Sequence, residues 1–150
     1  MSIHGGLLVT DKLLGQYTLP DHFGAIVGYE VRSIDRNARS ARVGMVAKRE
    51  HLSPSGKVHG GVISALLDYS SGAAMCTVIG EHDYMSTVEL KVNYFRPIEL
   101  GDNLEAESKV VFQGKKLCVM HTFLYRNSQP DPVAMASSTF NIFRLPSVPT

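Results

Sequence analysis

One long segment of this chain contains almost no charge, and this limits how the chain can fold. Between Gly60 and Gly80 the only formally charged side chain is Asp68. Residues 62–79 are rich in Ala, Leu and Met, would make about five helical turns, and end at a glycine suited to a helix C-terminus. A helix on the surface of a protein carries several charges on its wet face. The segment therefore predicts a central helix that a sheet wraps around.

The same segment is not a membrane span, because four polar residues and a glycine interrupt its apolar run. These are Ser64, Asp68, Ser70, Ser71 and Gly72. We expect no membrane association.

Alternating apolar and polar residues on both sides of the helix predict strands. Residues 28–36 and 38–47 form a hairpin across an Asp35-Arg36-Asn37 turn, and residues 85–95, 103–113, 116–125 and 133–143 form four more strands. Before them, an apolar patch at residues 7–14 predicts a short helix in an N-terminal segment, 1–22. Two strands, one long helix and four strands describe an α+β fold.

Length and charge restrict the number of domains and the partners. A chain of 150 residues that is 44% hydrophobic has the size of one domain, here 1–150. Fifteen Lys and Arg against fourteen Asp and Glu give a formal charge of +1, which leaves no broad basic face for nucleic acid.

The cysteines and the N-terminus predict the compartment. Cys76 and Cys118 lie far apart in apolar stretches without metal-site spacing, so we expect buried free thiols. The apolar residues 7–9 are followed at once by Asp11 and Lys12, too soon for a signal peptide. Both features predict a cytoplasmic protein.

Asp68 is the first candidate for a functional residue. A buried, ionised carboxylate costs several kcal/mol unless partners compensate, so Asp68 should have partners, a raised pKa or a chemical role. The alternative is structural: Ser64, Asp68 and Ser71 share one helical stripe, and a short solvated strip would also explain the residue.

The helix start is the second candidate. The first turn of a helix has unpaired N–H groups that can hold an oxyanion, and Gly60 and Gly61 would let a ligand approach them closely. A plain tight turn is the alternative. Asp68 lies about 12 Å further along the helix, at 1.5 Å per residue. One chain's pair is too far apart for a single carbonyl, so a shared site requires a second copy of the chain.

These residues match a known family. Segment 51–62 reads HLSPSGKVHGGV, and Asp68 follows nine positions after His59. The likeness continues through segments 87–90 (TVEL), 93–97 (NYFRP), 101–102 (GD) and 113–115 (QGK), and covers about residues 28–143. The chain resembles the hotdog-fold acyl-CoA thioesterases of the phenylacetic-acid-degradation type.

The resemblance implies a long helix wrapped by an antiparallel sheet, dimers that join two sheets, usually a homotetramer, and active sites at subunit interfaces. It implies that the Gly60 N–H polarises the thioester carbonyl, and that the neighbouring subunit's Asp68 is the general base or the nucleophile. Thr87 resembles the position whose hydroxyl holds the attacking water, and Ser86 is a less favoured candidate.

The resemblance also implies a substrate-binding set and one departure. His59, which we expect to make structural hydrogen bonds at the helix start, would line the substrate site with Gly61, Ser86 and Lys115. Coenzyme A is part of the substrate, and no further cofactor is implied. Ser53 stands where the family usually has Asn, and its shorter side chain offers different donors at a catalytic position.

The sequence thus predicts a hydrolase that cleaves an acyl- or aryl-acetyl-CoA thioester. A hydratase or dehydratase that uses His51 with Asp68, and a non-catalytic acyl-CoA-binding protein, are the alternatives. His51, His59 and Asp68 lack the spacing of a zinc motif, so we expect no metal.

Overall fold

The fold is one six-stranded antiparallel sheet wrapped around one long helix. The structure is a computed structural model that describes residues 21–80 and 82–144. The helices are α1 (His22–Val27) and α2 (Gly60–Met75), and a short 3-10 helix spans Arg49–His51. The strands are β1 (Glu30–Asp35), β2 (Ser40–Val46), β3 (Tyr84–Tyr94), β4 (Asn103–Gln113), β5 (Leu117–Arg126) and β6 (Ala134–Phe143).

The strand order places β1 and β3 at the two edges of the sheet. The order is β1-β2-β4-β5-β6-β3, and every neighbouring pair is antiparallel. β3 follows α2 directly but pairs with β6, and hydrogen bonds from β3 reach residues in the first three turns of α2. This architecture confirms the predicted α+β hotdog fold.

The core lies between α2 and the concave face of the sheet. Leu66 and Leu67 of α2 are fully buried against strand residues such as Val43, Met120 and Leu124. Cys76 and Cys118 are both buried, as predicted, and the Cys76 thiol donates a hydrogen bond to the Gly72 carbonyl oxygen at 3.5 Å. No helix in the described ranges is long and apolar enough to cross a membrane.

The predicted element boundaries need two corrections at the helix. The helix was predicted over 62–79, but α2 begins at Gly60, where the His59 side chain caps it. It ends at Met75 because the following N–H groups, from Cys76 to Val78, bond three residues back in tight turns. The predicted N-terminal helix at 7–14 lies outside the described residues, and α1 was not predicted.

A bulge in β3 changes which of its side chains face the helix. The pairing of β3 with β6 slips between Thr87 and Glu89, which leaves Val88 as an extra residue. Val88 is therefore 58% exposed. Thr87 before the bulge and Leu90 after it both face α2, although strict alternation would place them on opposite faces.

Candidate active site

Asp68 lies on the side of α2 that faces the β3 edge. Its carboxylate accepts a hydrogen bond from the Thr87 hydroxyl at 2.9 Å. Partial burial raises the pKa of Asp68 above its usual range, and the Thr87 hydrogen bond opposes this by favouring the ionised form. Asp68 thus has both a partner and a raised pKa, which are two of the three properties expected of a carboxylate in this helix.

The structure does not support the alternative of a solvated polar strip through Asp68. Ser71 is fully buried, and its hydroxyl bonds the Leu67 carbonyl oxygen and the Thr122 hydroxyl. On the stripe of α2 that contains Asp68, the next residue, Ser71, is therefore already part of the core. Asp68 stands at the border between the core and solvent.

At the start of α2, one of the first two N–H groups is capped and the other is not. The His59 Nδ1 atom accepts a hydrogen bond from the Gly61 N–H at 2.8 Å. Within residues 21–80 and 82–144, no hydrogen bond is made by the Gly60 N–H. The helix dipole adds partial positive charge there, so Gly60 offers one donor to an anionic or carbonyl oxygen.

Tyr94 covers this first turn and was not singled out in the sequence. Its hydroxyl donates to the Gly60 carbonyl oxygen at 3.2 Å and is hydrogen-bonded to the Ser64 hydroxyl. The ring is half exposed, and it lies about where a side chain on Gly60 would point. Only the alternation of β3 after its bulge could have indicated that Tyr94 faces the helix.

The two halves of the candidate site lie at opposite ends of the contact between α2 and β3. Gly60 and Tyr94 form one end, while Asp68 and Thr87 form the other. Asp68 lies eight positions after Gly60 in α2, a separation of about 12 Å along the helix. Within one protomer, the donor and the carboxylate therefore cannot contact the same carbonyl group.

Ser53 makes no hydrogen bond to either half of the candidate site in this structure, among the residues described. Its hydroxyl is hydrogen-bonded to the Ser55 hydroxyl at 2.7 Å, and its backbone pairs with Lys57 and Gly56 in a tight turn. No hydrogen bond within the described residues links it to Asp68 or Gly60. The turn is closed by a bridge between residues 52 and 58, just before the helix start.

The remaining predicted substrate-binding residues lie near the start of β3. Ser86 is exposed and, as the residue before Thr87 on a strand, lies on the opposite face of β3 from Asp68. Lys115 is exposed in the turn between β4 and β5, at a surface pocket of about 470 Å³. Lys116, Asn141 and Arg144 also line that pocket, and Asn141 pairs with Ser86.

His51 makes a structural contact instead of pairing with Asp68. The side chain is 3% exposed, and its Nδ1 atom accepts a hydrogen bond from the Lys48 N–H at 3.0 Å. This arrangement gives no support to a hydratase that uses His51 with Asp68. Among the residues that the structure describes, no group of three His, Cys, Asp or Glu side chains is arranged to hold a metal ion.

Comparison with known proteins identifies the family of this chain. A sequence model described as the thioesterase superfamily matches residues 55–132, about half of the chain. Human acyl-coenzyme A thioesterase 13 is 32% identical over 74 residues, which cover 49% of this chain and 51% of that protein. A Caenorhabditis elegans protein named as a candidate esterase is 30% identical over 105 residues, 70% of this chain and 60% of that protein.

Solved structures share the fold. The PaaI protein of the Escherichia coli phenylacetic acid degradation operon superimposes with a TM-score of 0.78 at 21% identity, covering 94% of this chain and 96% of that one. A phenylacetic acid degradation-related protein of Ralstonia eutropha gives 0.77 at 23% identity, with 89% and 98% covered. The resemblance seen in the sequence is therefore confirmed. The chain belongs to the thioesterase superfamily, a family of thioester hydrolases, and has the hotdog fold.

Proposed function

We propose that the protein hydrolyses acyl-CoA thioesters to the free acid and coenzyme A. The observation that carries this proposal is Asp68, the only charge on the central helix, which is held by Thr87 and has a raised pKa. A carboxylate with a raised pKa is a stronger base than an ordinary Asp. It can take a proton from water that attacks a thioester carbonyl.

The Gly60 N–H is the proposed donor to the thioester carbonyl oxygen. It polarises the carbonyl before attack and stabilises the oxyanion that forms. The tetrahedral intermediate then expels the coenzyme A thiolate, which takes up a proton. Loss of one oxyanion donor costs about 10²- to 10³-fold in rate, and loss of a positioned base costs about 10²- to 10⁴-fold.

The 12 Å separation leads us to propose that a complete site requires two subunits. β3 is an edge strand, and its exposed residues include Val88 and Tyr94. If β3 pairs antiparallel with β3 of a second copy about a point near Leu90 and Lys91, Thr87 of one copy lies opposite Tyr94 of the other. Each Asp68 then approaches the partner's Gly60, and a two-fold axis creates two equivalent sites.

We propose that Lys115 binds the phosphates of coenzyme A. It shares its surface pocket with Lys116 and Arg144, and Arg144 is also paired with Asp83. Asn141, which also lines the pocket, pairs with Ser86, the residue before Thr87 in β3. A charge-changing substitution, Lys115→Glu, should raise KM more than it lowers kcat.

The experiment that tests the function is a measurement of free thiol release from aryl, short-chain and long-chain acyl-CoAs. Turnover that is lost in Asp68→Asn supports the proposal. If the wild-type protein binds acyl-CoA but releases no thiol from any of them, the non-catalytic binding alternative replaces it. The Ser53 hydroxyl, which is engaged with Ser55, keeps this second candidate open.

The shared site has its own test. Asp68→Ala chains and Gly60→Pro chains are each expected to be inactive, whereas a refolded equal mixture regenerates about a quarter of the wild-type sites if a two-fold dimer forms them. Gly60→Pro is suited to this test because it removes the N–H at the first helical position, where proline is tolerated, and its Cβ would meet the Tyr94 ring at 3.5 Å, an ordinary contact. No recovery in mixed oligomers would exclude a site built from two subunits.

A further inference from the structure

The Ser64 hydroxyl makes a contact that the catalytic proposal does not use. Ser64 lies one turn after Gly60 and one turn before Asp68, on the side of α2 that faces β3. Its hydroxyl is hydrogen-bonded to the Tyr94 hydroxyl of β3, which is also hydrogen-bonded to the Gly60 carbonyl oxygen at 3.2 Å. Ser64 is therefore linked, through one side chain of β3, to the first residue of the helix.

The direction of these two hydrogen bonds follows from the number of protons available. A carbonyl oxygen only accepts, so the Tyr94 hydroxyl donates its single proton to the Gly60 carbonyl oxygen. No proton of Tyr94 remains for the second bond, and the Ser64 hydroxyl must be the donor there. The result is a directed chain in which Ser64 donates to Tyr94 and Tyr94 donates to Gly60. Each bond in such a chain polarises the next one, which strengthens both.

Ser64 uses its hydroxyl differently from another serine of the same helix. A serine within a helix often donates to the carbonyl oxygen four residues before it, as Ser71 does to Leu67 at 2.9 Å. The corresponding carbonyl for Ser64 is that of Gly60, which accepts from Tyr94 instead. The Ser64 hydroxyl therefore ties the helix start to β3 and not to the helix itself.

The chain ends on the peptide group beside the proposed oxyanion donor. The carbonyl of Gly60 and the N–H of Gly61 belong to one planar peptide group. Its oxygen accepts from Tyr94, and its N–H donates to the Nδ1 atom of His59 at 2.8 Å. Glycine has the freest backbone of all residues, so these two bonds restrict a turn that its own residues leave free. The Gly60 N–H lies on the adjacent peptide group, and its direction depends on this restriction.

We propose that Ser64 is a positioning residue, which acts through Tyr94 to hold the Gly60 N–H in the direction of the thioester carbonyl oxygen. This inference rests on the proposed thioesterase function. A donor that is aligned before the reaction stabilises the oxyanion without having to reorganise. Loss of the alignment should therefore lower kcat and change KM little.

The kinetic test is a double-mutant cycle of Ser64→Ala and Tyr94→Phe, measured by thiol release from the best acyl-CoA of the panel. Each single variant should lower kcat about twofold to tenfold, and the double variant should lose less than the product of the two losses. Ser64→Thr keeps the hydroxyl and should keep the wild-type kcat. Ser71→Ala removes a buried hydroxyl from the same helix, and as the control it should lower the free energy of unfolding but not kcat. An unchanged kcat in Ser64→Ala, or losses that multiply, would overturn the inference.

Hydrogen exchange separates this inference from the thioesterase proposal, because it requires no turnover. In protein labelled with ¹⁵N-glycine, the Gly61 N–H should exchange about twofold to tenfold faster in Ser64→Ala and in Tyr94→Phe than in the wild type. The N–H of Gly72, buried further along the same helix, is the internal reference and should keep its rate. Faster exchange at Gly61 without hydrolysis of any thioester would support the role of Ser64 in holding the turn and reject the thioesterase. Unchanged exchange at Gly61 in a folded Ser64→Ala variant would overturn the inference, even if thioesters are hydrolysed.

Discussion

Replacement of Asp68 by Asn separates the charge of this side chain from its shape. Asn has nearly the same volume, and its carbonyl oxygen can still accept the hydrogen bond that the Thr87 hydroxyl donates at 2.9 Å. The variant therefore keeps the local packing and loses only the negative charge and the basicity. If Asp68 is the general base, turnover should fall while the fold stays intact.

The expected loss of activity follows from the role of Asp68 as general base. A positioned general base contributes about 10²- to 10⁴-fold, so kcat/KM should fall by at least 100-fold, about 2.7 kcal/mol in the transition-state barrier. Free thiol release from the best acyl-CoA of the panel measures it, with circular dichroism as the check of folding. A folded Asp68→Asn variant that retains more than about a tenth of wild-type kcat/KM, a loss below 1.4 kcal/mol, would refute the role.

Although Asp68→Asn should lose activity, its resistance to denaturant should equal or exceed that of the wild type at neutral pH. The difference between the two proteins should depend on pH. Burial raises the pKa of Asp68 in the folded protein above its ordinary value of 3.8. The folded state therefore holds the proton more tightly than the unfolded state, and this stabilisation is fully present below pH 3.8 and lost as pH rises through the folded pKa. At neutral pH, Asp68→Asn should unfold at an equal or higher denaturant concentration than the wild type, and below pH 3.8 this advantage should shrink. An advantage that grows on acidification would contradict the burial of Asp68.

Four further substitutions test the rest of the site. Thr87→Val should raise the pKa of Asp68, which moves the acid limb of the kcat/KM profile to higher pH, whereas Thr87→Ser keeps the hydroxyl and the wild-type profile. Gly60→Pro, which removes the N–H at the first position of the helix, should stay folded and lower kcat about 10²- to 10³-fold, and near-wild-type turnover would reject its N–H as the oxyanion donor. Tyr94→Phe, which loses the hydrogen bond to Gly60, should lower kcat about twofold to tenfold, whereas an unchanged kcat would show that the ring alone positions the turn. Ser53→Asn should raise kcat/KM about twofold to tenfold; a fall in both Ser53→Asn and Ser53→Ala would make the hydroxyl a working group.

The sequence was most informative where local pattern and burial coincide. An uncharged segment around Asp68 predicted a wrapped helix, and the strand pattern predicted β4 with its observed ends, Asn103 and Gln113. Such elements are specified by the alternation or periodicity of their own residues. The helix start was misplaced by two residues because its cap is a histidine, which is an uncommon N-cap residue.

The site could be predicted only in part, because β3 contains a bulge. Perfect alternation would put Thr87 on the face opposite Tyr94, yet the extra residue Val88 turns both of them toward α2. A bulge depends on pairing with β6, which no local pattern in β3 reveals. Thr87 was reached through family resemblance instead, and Tyr94 was missed.

The packing of Tyr29 on Tyr69 was missed for a different reason. Tyr29, Tyr69 and Asp21 are separated in sequence, and they meet only because α1 folds back onto the middle of α2. A tyrosine next to Asp68 has no periodic signature of its own. Contacts between elements distant in sequence depend on tertiary packing, and that is where sequence reasoning is weakest.

Helix α2 keeps its buried polar groups separate from its one charge. On the covered side, Ser70 and Ser71 form a closed hydroxyl network with Ser108 and Thr122, and all four are buried. Each of these groups is neutral and satisfied, so the network holds the helix on the sheet without the desolvation cost of an ion. The carboxylate stands on the uncovered side, where a ligand or a second subunit can reach it. A substitution in the hydroxyl network should therefore mainly lower the free energy of unfolding, whereas a substitution at Asp68 should mainly lower the rate of turnover. This separation lets one helix contribute to both the core and the active site.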